Sequence, residues 1–178
     1  MNRLYCNDCL NILKSMPDNS VDLTLGSPPY ENRRTYSIGF NLKGNQYVDW
    51  AYDRIVECIR VTNGLVVWVI DSPTHKGKWS STPILLMAKL HNTGYILRKP
   101  VIFHRIGVCG SGGRASQHAK NGGSADWLRN DYEYAICVTK QTGKLPWADT
   151  LSMGYPPRWS PGGAMSNRLS DGTRKNQL

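Results

Sequence analysis

Apolar residues recur along the chain in two rhythms, one helical and one strand-like. Leu4-Tyr5-Cys6 forms a short apolar segment that reads as a first strand, and Leu10, Leu13 and Met16 then stand at helical spacing. Pro17-Asp18-Asn19-Ser20 ends that helix with turn chemistry, and Val21-Asp22-Leu23-Thr24-Leu25 follows as a compact strand. The strand must stop at Gly26-Ser27-Pro28-Pro29-Tyr30, because two prolines cannot continue a ladder of backbone hydrogen bonds. Residues 31–46 are polar and contain glycine, as a loop would. Val48, Ala51, Ile55, Cys58 and Ile59 share one face of a helix predicted from Tyr47 to Val61, with Asn63-Gly64 expected to cap its end. The unbroken run Leu65-Val66-Val67-Trp68-Val69-Ile70 predicts a strand buried on both faces.

A linker from Pro73 to Lys78 leads to a helix predicted over Ser81–Asn92, which Gly94 ends. Tyr95 to Ile106 reads as one or two extended segments around Pro100, and Tyr132 to Thr139 as a further strand. Between them, residues 107–123 are rich in glycine and are expected to form a loop. Beyond Lys140 the chain has no clear periodicity. This order of strands and helices implies an α/β fold: a parallel first part with right-handed crossovers, then an antiparallel pair joined through the glycine loop. Two regions are expected, 1–140 as the ordered body and 141–178 as an irregular basic tail.

Composition adds charge to this picture. The chain has 178 residues and a net charge of +9, unevenly spread. Residues 1–97 hold ten Lys and Arg against eight Asp and Glu, whereas residues 98–178 hold twelve against five. A basic half suits a polyanion, most often nucleic acid, although a solvated basic face would give the same count. No apolar run is long enough to span a membrane, and the N-terminus lacks the apolar core of a signal peptide, so a cytoplasmic setting is expected. Five scattered cysteines make a poor disulfide framework. Cys6 and Cys9 form one C-x-x-C without a second pair or histidines at ligand spacing, so no metal site is expected.

The tetrapeptide Ser27-Pro28-Pro29-Tyr30 carries the chemistry. In an open α/β sheet, ligands bind beyond the carboxyl ends of the strands, where this segment falls. The prolines remove backbone donors and leave carbonyls projecting. Ser27 adds a hydroxyl that can accept a hydrogen bond, and Tyr30 adds a π face on which a base can stack. Two acceptors and one aromatic plate can hold the exocyclic amino group of a nucleobase. Tyr155-Pro156-Pro157-Arg158 also has two prolines but follows no predicted strand, and reads as loop.

With its lead-in Asn7-Asp8-Cys9-Leu10, Leu13 and Met16-Pro17-Asp18-Asn19-Ser20-Val21-Asp22-Leu23, this segment resembles the DNA amino-methyltransferases that act on cytosine N4 or adenine N6. Their motif is Asp/Asn/Ser-Pro-Pro-Tyr/Phe/Trp, and the serine form is typical of the cytosine-N4 members. The order resembles the permuted group, in which the catalytic motif comes first and the cofactor loop last. The resemblance runs over roughly residues 4–140. It implies a Rossmann-like S-adenosylmethionine-dependent methyltransferase fold, double-stranded DNA as partner, and direct methyl transfer to a base flipped out of the duplex. Ser27 Oγ and the Pro28 carbonyl would then accept from the amino group, Pro29 would shape the turn, and Tyr30 would stack on the ring. Asp8, Cys9 and Ser27 would lie against the cofactor.

The glycine-rich Phe-x-Gly-x-Gly segment of this family is missing; neither Gly110-Ser111-Gly112-Gly113 nor Gly162-Gly163 follows a fitting strand. The expectation is therefore a catalytic half: a truncated or split enzyme whose cofactor half lies elsewhere, with a second chain or a second copy as candidates to complete the sheet, or a DNA-binding remnant or subunit that does not methylate. Residues 98–178 resemble the target-recognition region, with Arg105, Arg114, Lys120, Arg129, Arg158 and Arg168 as phosphate contacts. Trp127, Trp147 and Trp159 are candidates for stacking or for core packing, and Glu133 for a structural pair with a basic side chain.

Overall fold

The computed structural model describes residues 3–31, 39–75, 78–104, 132–146, 168–171 and 173–174. The chain folds as two compact units, residues 1–147 and 148–178. In the first, helix α1 (Cys9–Ser15) starts at Asp8, whose side chain accepts from the Leu10 amide at 2.8 Å, a standard N-cap. After the turn at residues 16–20 comes β1 (Val21–Gly26), and then α2 (Gly44–Val61). Arg60 on α2 holds that turn. Its guanidinium donates to the carbonyls of Leu13 at 2.7 Å and Met16 at 3.0 Å and pairs with Asp18.

Helix α2 begins three residues earlier than its pattern predicts, and its apolar face is the expected one: Val48, Ala51, Ile55, Cys58 and Ile59 are all buried. Asn63-Gly64 does not cap it. The helix passes directly into β2 (Thr62–Ile70). Asn63 and Gly64 stand opposite Asp22 alone, between the pairs Val21–Thr62 and Leu23–Leu65. This two-against-one pairing is a bulge, where glycine is at home in a strand. A hairpin of β3 (Thr74–His75) and β4 (Lys78–Trp79) occupies the predicted linker. Helix α3 (Thr82–Asn92) follows, ending near Gly94 at φ 87°. The extended stretch around Pro100 divides into β5 (Ile96–Leu97) and β6 (Val101–His104), and β7 (Tyr132–Thr139) completes the unit.

The main sheet runs β1-β2-β7, with β5 and β6 in succession along the far edge of β7. Among the described strands, only β1 and β2 are adjacent and parallel; β7 lies antiparallel to β2 and also to β5 and β6. The expected antiparallel pair is present, but β7 also separates β2 from β5, so the parallel part among the described strands is one pair. Val66, Trp68, Ile70, Ile136 and Val138 pack on α2 and α3 through Tyr47, Ile55, Leu86 and Leu90. On the other face, Leu23, Leu25, Val101 and Phe103 are exposed. Leu4-Tyr5-Cys6 forms no strand: Leu4 is 99% exposed, and among the described residues β1 pairs with β2 alone. An extended segment without a partner strand has nothing to satisfy its backbone groups but water.

In the second unit, Arg168 and Arg174 form an isolated antiparallel bridge around a turn in which the Asp171 carboxylate accepts from Thr173. The glycine loop at 107–123 lies outside the described residues.

Candidate active site at the carboxyl end of the sheet

Strand β1 delivers Ser27 to the carboxyl end of the parallel pair, and antiparallel β7 brings its own first residues to the same place. Ile70, the last residue of β2, stands opposite Tyr134, so Glu133 lies beyond the end of β2. There the side chains meet. Ser27 Oγ and the Tyr30 hydroxyl are 2.9 Å apart, and the Tyr30 hydroxyl donates to Glu133 Oε2 at 2.7 Å. Glu133 is buried, as are Asp71 and Ser72 just after β2. The Asp71 carboxylate accepts from the Ser72 amide at 2.7 Å.

These contacts set the charge state of the phenol. Burial pushes Tyr30 up to about 12; a hydrogen bond from Ser27 opposes the rise, while Glu133 and, more distantly, Asp71 add to it. A proton on Tyr30 is therefore retained throughout the neutral range. Tyr134 is raised as well, first by its hydrogen bond with Tyr132 and then by burial. The rings of Tyr132 and Tyr134 meet edge to face at 5.5 Å.

The segment after Tyr30 is anchored by Glu31, which is 5% exposed. Its carboxylate accepts from the Gly44 amide at 2.8 Å, Ser80 Oγ at 2.6 Å and Thr82 Oγ1 at 3.0 Å. Gly44 and Thr82 are the first residues of α2 and α3, so a single buried anion ties the positive ends of two helices to the turn. That anchor holds Pro28, Pro29 and Tyr30 in place.

Ser27, Pro28, Pro29, Tyr30 and Glu133 thus come together as one group. Asp8 does not join them. It caps α1, and it pairs with Arg54 on α2, which stacks over Trp50 with its Cζ 4.3 Å from the ring centroid. Hydrogen bonding from the Leu10 amide, with help from Arg54, holds the Asp8 carboxyl below its usual range. Cys9 is exposed at the start of α1. Arg168 is exposed in the second unit, while Arg105, Arg114, Lys120, Arg129 and Arg158 lie outside the described residues, as do Trp127, Trp147 and Trp159. Sequence reasoning passed over Asp71, although an acidic residue directly after a buried apolar strand was a usable signal. Glu133, expected to pair with a basic side chain, accepts from the Tyr30 hydroxyl. Among the described residues no group of three or more His, Cys, Asp or Glu is placed to hold a metal ion.

A family model for DNA methylases of the N6/N4 type matches residues 21–161. The chain belongs to the N6/N4 DNA methylase family. Among curated relatives of this chain, the type II methyltransferase M.BamHI of Bacillus amyloliquefaciens is 40% identical over 63 residues, covering 34% of this chain and 15% of the relative. The type II methyltransferase M.ScaI of Streptomyces caespitosus is 31% identical over 110 residues, 59% of this chain and 34% of the relative. Among solved structures, the PvuII DNA methyltransferase (cytosine-N4-specific) superposes with a TM-score of 0.61 at 19% identity, over 77% of this chain and 48% of that one. TTHA0409 of Thermus thermophilus, complexed with S-adenosyl-L-methionine, superposes with a TM-score of 0.55 at 17% identity, over 80% of this chain and 55% of that one. The chain therefore has the α/β methyltransferase fold and spans about half the length of the solved chains that it matches.

Proposed function

We propose that this chain forms the target-base half of an S-adenosylmethionine-dependent DNA amino-methyltransferase of the permuted group, with cytosine N4 as the favoured acceptor. The observation that carries the reading is Ser27 Oγ, held at the carboxyl end of β1 within a network that also fixes Tyr30. Ser27 Oγ and the Pro28 carbonyl accept from the amino group of a flipped base, which localises the nitrogen lone pair for attack, and the Tyr30 ring supports the base. Ser27 favours cytosine N4 over adenine N6, in keeping with the cytosine-N4 specificity named for the PvuII enzyme.

S-adenosylmethionine would supply an electrophilic methyl group. The described residues furnish only part of a site for it. Cys9 and Ser27 are available, but the Asp8 carboxylate is already engaged by Arg54 and α1, and no short glycine-rich turn leads from strand to helix among the described residues. The remainder is to be supplied by a segment that pairs along β1, where Leu23 and Leu25 are exposed and only one neighbouring strand is described. The basic residues Arg105, Arg114, Lys120, Arg129, Arg158 and Arg168 contact the phosphates of the duplex, and residues 141–178 belong to the target-recognition region.

The test is nucleoside analysis of duplex DNA after incubation with the protein and labelled S-adenosylmethionine. N4-methylcytosine supports the reading, and N6-methyladenine moves the acceptor to adenine. Salt-dependent duplex binding without label, under conditions where the cofactor is bound, assigns the chain instead to a DNA-binding subunit.

A further inference from the structure

We infer that Glu133 is a positioning residue that makes Ser27 Oγ an obligate acceptor toward the incoming amino group. The inference rests on the proposed reaction and adds to it a residue from the opposite end of the chain. A phenol has one hydrogen to give. The Tyr30 hydroxyl gives it to Glu133 Oε2 at 2.7 Å. Ser27 Oγ, 2.9 Å from the same hydroxyl, must therefore be the donor in their contact.

The hydrogen bonds thus run in one direction, from Ser27 to Tyr30 to Glu133. The serine proton is turned inward, and both lone pairs of Oγ remain for a ligand. Without that constraint a serine hydroxyl rotates freely and presents its proton to the substrate as readily as its lone pairs. A proton aimed at an amino nitrogen would bind the lone pair that the reaction needs; an acceptor draws on the N–H bonds and leaves the lone pair available. The electrostatics of Tyr30 agree with this polarity, since the Ser27 contact lowers its pKa, as a donated hydrogen bond does, and the Glu133 contact raises it. The arrangement also fixes the Tyr30 ring at its far end.

The test uses Glu133→Gln, with Glu133→Asp and Tyr30→Phe alongside. The glutamine amide can donate to Tyr30, which lets the whole chain of hydrogen bonds reverse; the aspartate keeps the charge and the acceptor. Two readouts are taken on protein with unchanged thermal unfolding. The first is the titration of Tyr30, followed by NMR of ring-Cζ-labelled tyrosine and assigned through Tyr30→Phe. We expect wild-type Tyr30 to titrate near 12, and Glu133→Gln to lower this by roughly one unit. The second is methyl transfer, where Glu133→Gln should lose about 10–100-fold in kcat with KM little changed, and Glu133→Asp should recover part of it. If Glu133→Gln folds and leaves either the Tyr30 titration or kcat as in wild type, the inference is overturned. If the wild type binds both cofactor and duplex yet transfers no methyl group, the proposed function fails, and the titration still decides whether Glu133 sets the polarity. Should Glu133→Gln not fold, Tyr30→Phe decides by the second readout: it keeps the ring but removes the hydroxyl that takes the Ser27 proton, so a kcat loss of about 10–100-fold supports the inference and wild-type kcat overturns it.

Discussion

Arg54, on α2, grips the Asp8 carboxylate through Nη2 at 2.8 and 3.1 Å, so the residue that the family resemblance sets beside the cofactor here joins α1 to α2. The Arg54 side chain is 9% exposed and the Asp8 side chain 50%. Removing Asp8 leaves a buried guanidinium without its anion and α1 without its cap. Asp8→Ala should therefore cost about 1–3 kcal/mol, the cap contributing about 1 and the half-exposed pair less than a fully buried one. Urea unfolding measures it.

The same pair makes stability depend on acid. The Asp8 carboxyl is held below its ordinary value of 3.8, so its contribution is complete above that value and is lost as pH falls through the lower native one. Unfolding curves from pH 6 to pH 2 should show wild type losing more stability than Asp8→Asn, which has no carboxylate to protonate. Parallel curves would mean that the pair contributes nothing.

Glu31 is the next point of leverage. It is buried and satisfies three donors from the starts of α2 and α3. Glu31→Ala should cost about 3 kcal/mol, lowering Tm by roughly 6–12 °C, because the donors lose their acceptor and a cavity opens. Glu31→Gln, which keeps one acceptor oxygen, should fall between. Thermal unfolding followed by circular dichroism distinguishes the three proteins.

The exposed leucines of β1 should govern association. Leu25 is 68% exposed on a strand with one described neighbour. Leu25→Lys should shift sedimentation toward a smaller species while changing stability by no more than about 0.5 kcal/mol. An unchanged sedimentation profile would rule out a second copy along this edge.

Duplex binding should weaken steeply with salt. If the six basic residues contact phosphates, log Kd against log salt should have a slope of about 5, at roughly 0.9 per contact. Replacing Arg158 or Arg168 by Ala should lower that slope by about 1 each. Binding that ignores salt would separate the charge of this half from DNA.

The sequence revealed the elements better than their arrangement. The face of α2 and the strand Tyr132–Thr139 followed directly from periodicity, since each alternates or repeats over enough residues to leave one solution. The place of β7 between β2 and β5 was not legible, because strand order depends on pairings between segments far apart in sequence. Asn63-Gly64 was misread as a cap for a related reason: glycine marks both helix ends and bulges, and only the pairing with β1 separates them. At the candidate site, Ser27 to Tyr30 announced itself through two prolines after a strand. Glu133 did not, being separated from Tyr30 by 103 positions and joined to it only when β7 runs back to the carboxyl end of the sheet. Asp8 shows the converse: the resemblance sets it beside the cofactor, and the fold employs it as a cap and an ion pair.

The central claim is that Ser27 receives the amino group of a flipped base. Single-turnover methyl transfer from labelled S-adenosylmethionine to duplex DNA tests it most directly, comparing wild type with Ser27→Ala under conditions where calorimetry shows the cofactor bound. The account predicts label in N4-methylcytosine, reduced on the order of 10²–10³-fold by the substitution. Label that enters DNA at the same rate without the serine hydroxyl, or no label from a wild-type protein that binds both cofactor and duplex, would contradict it.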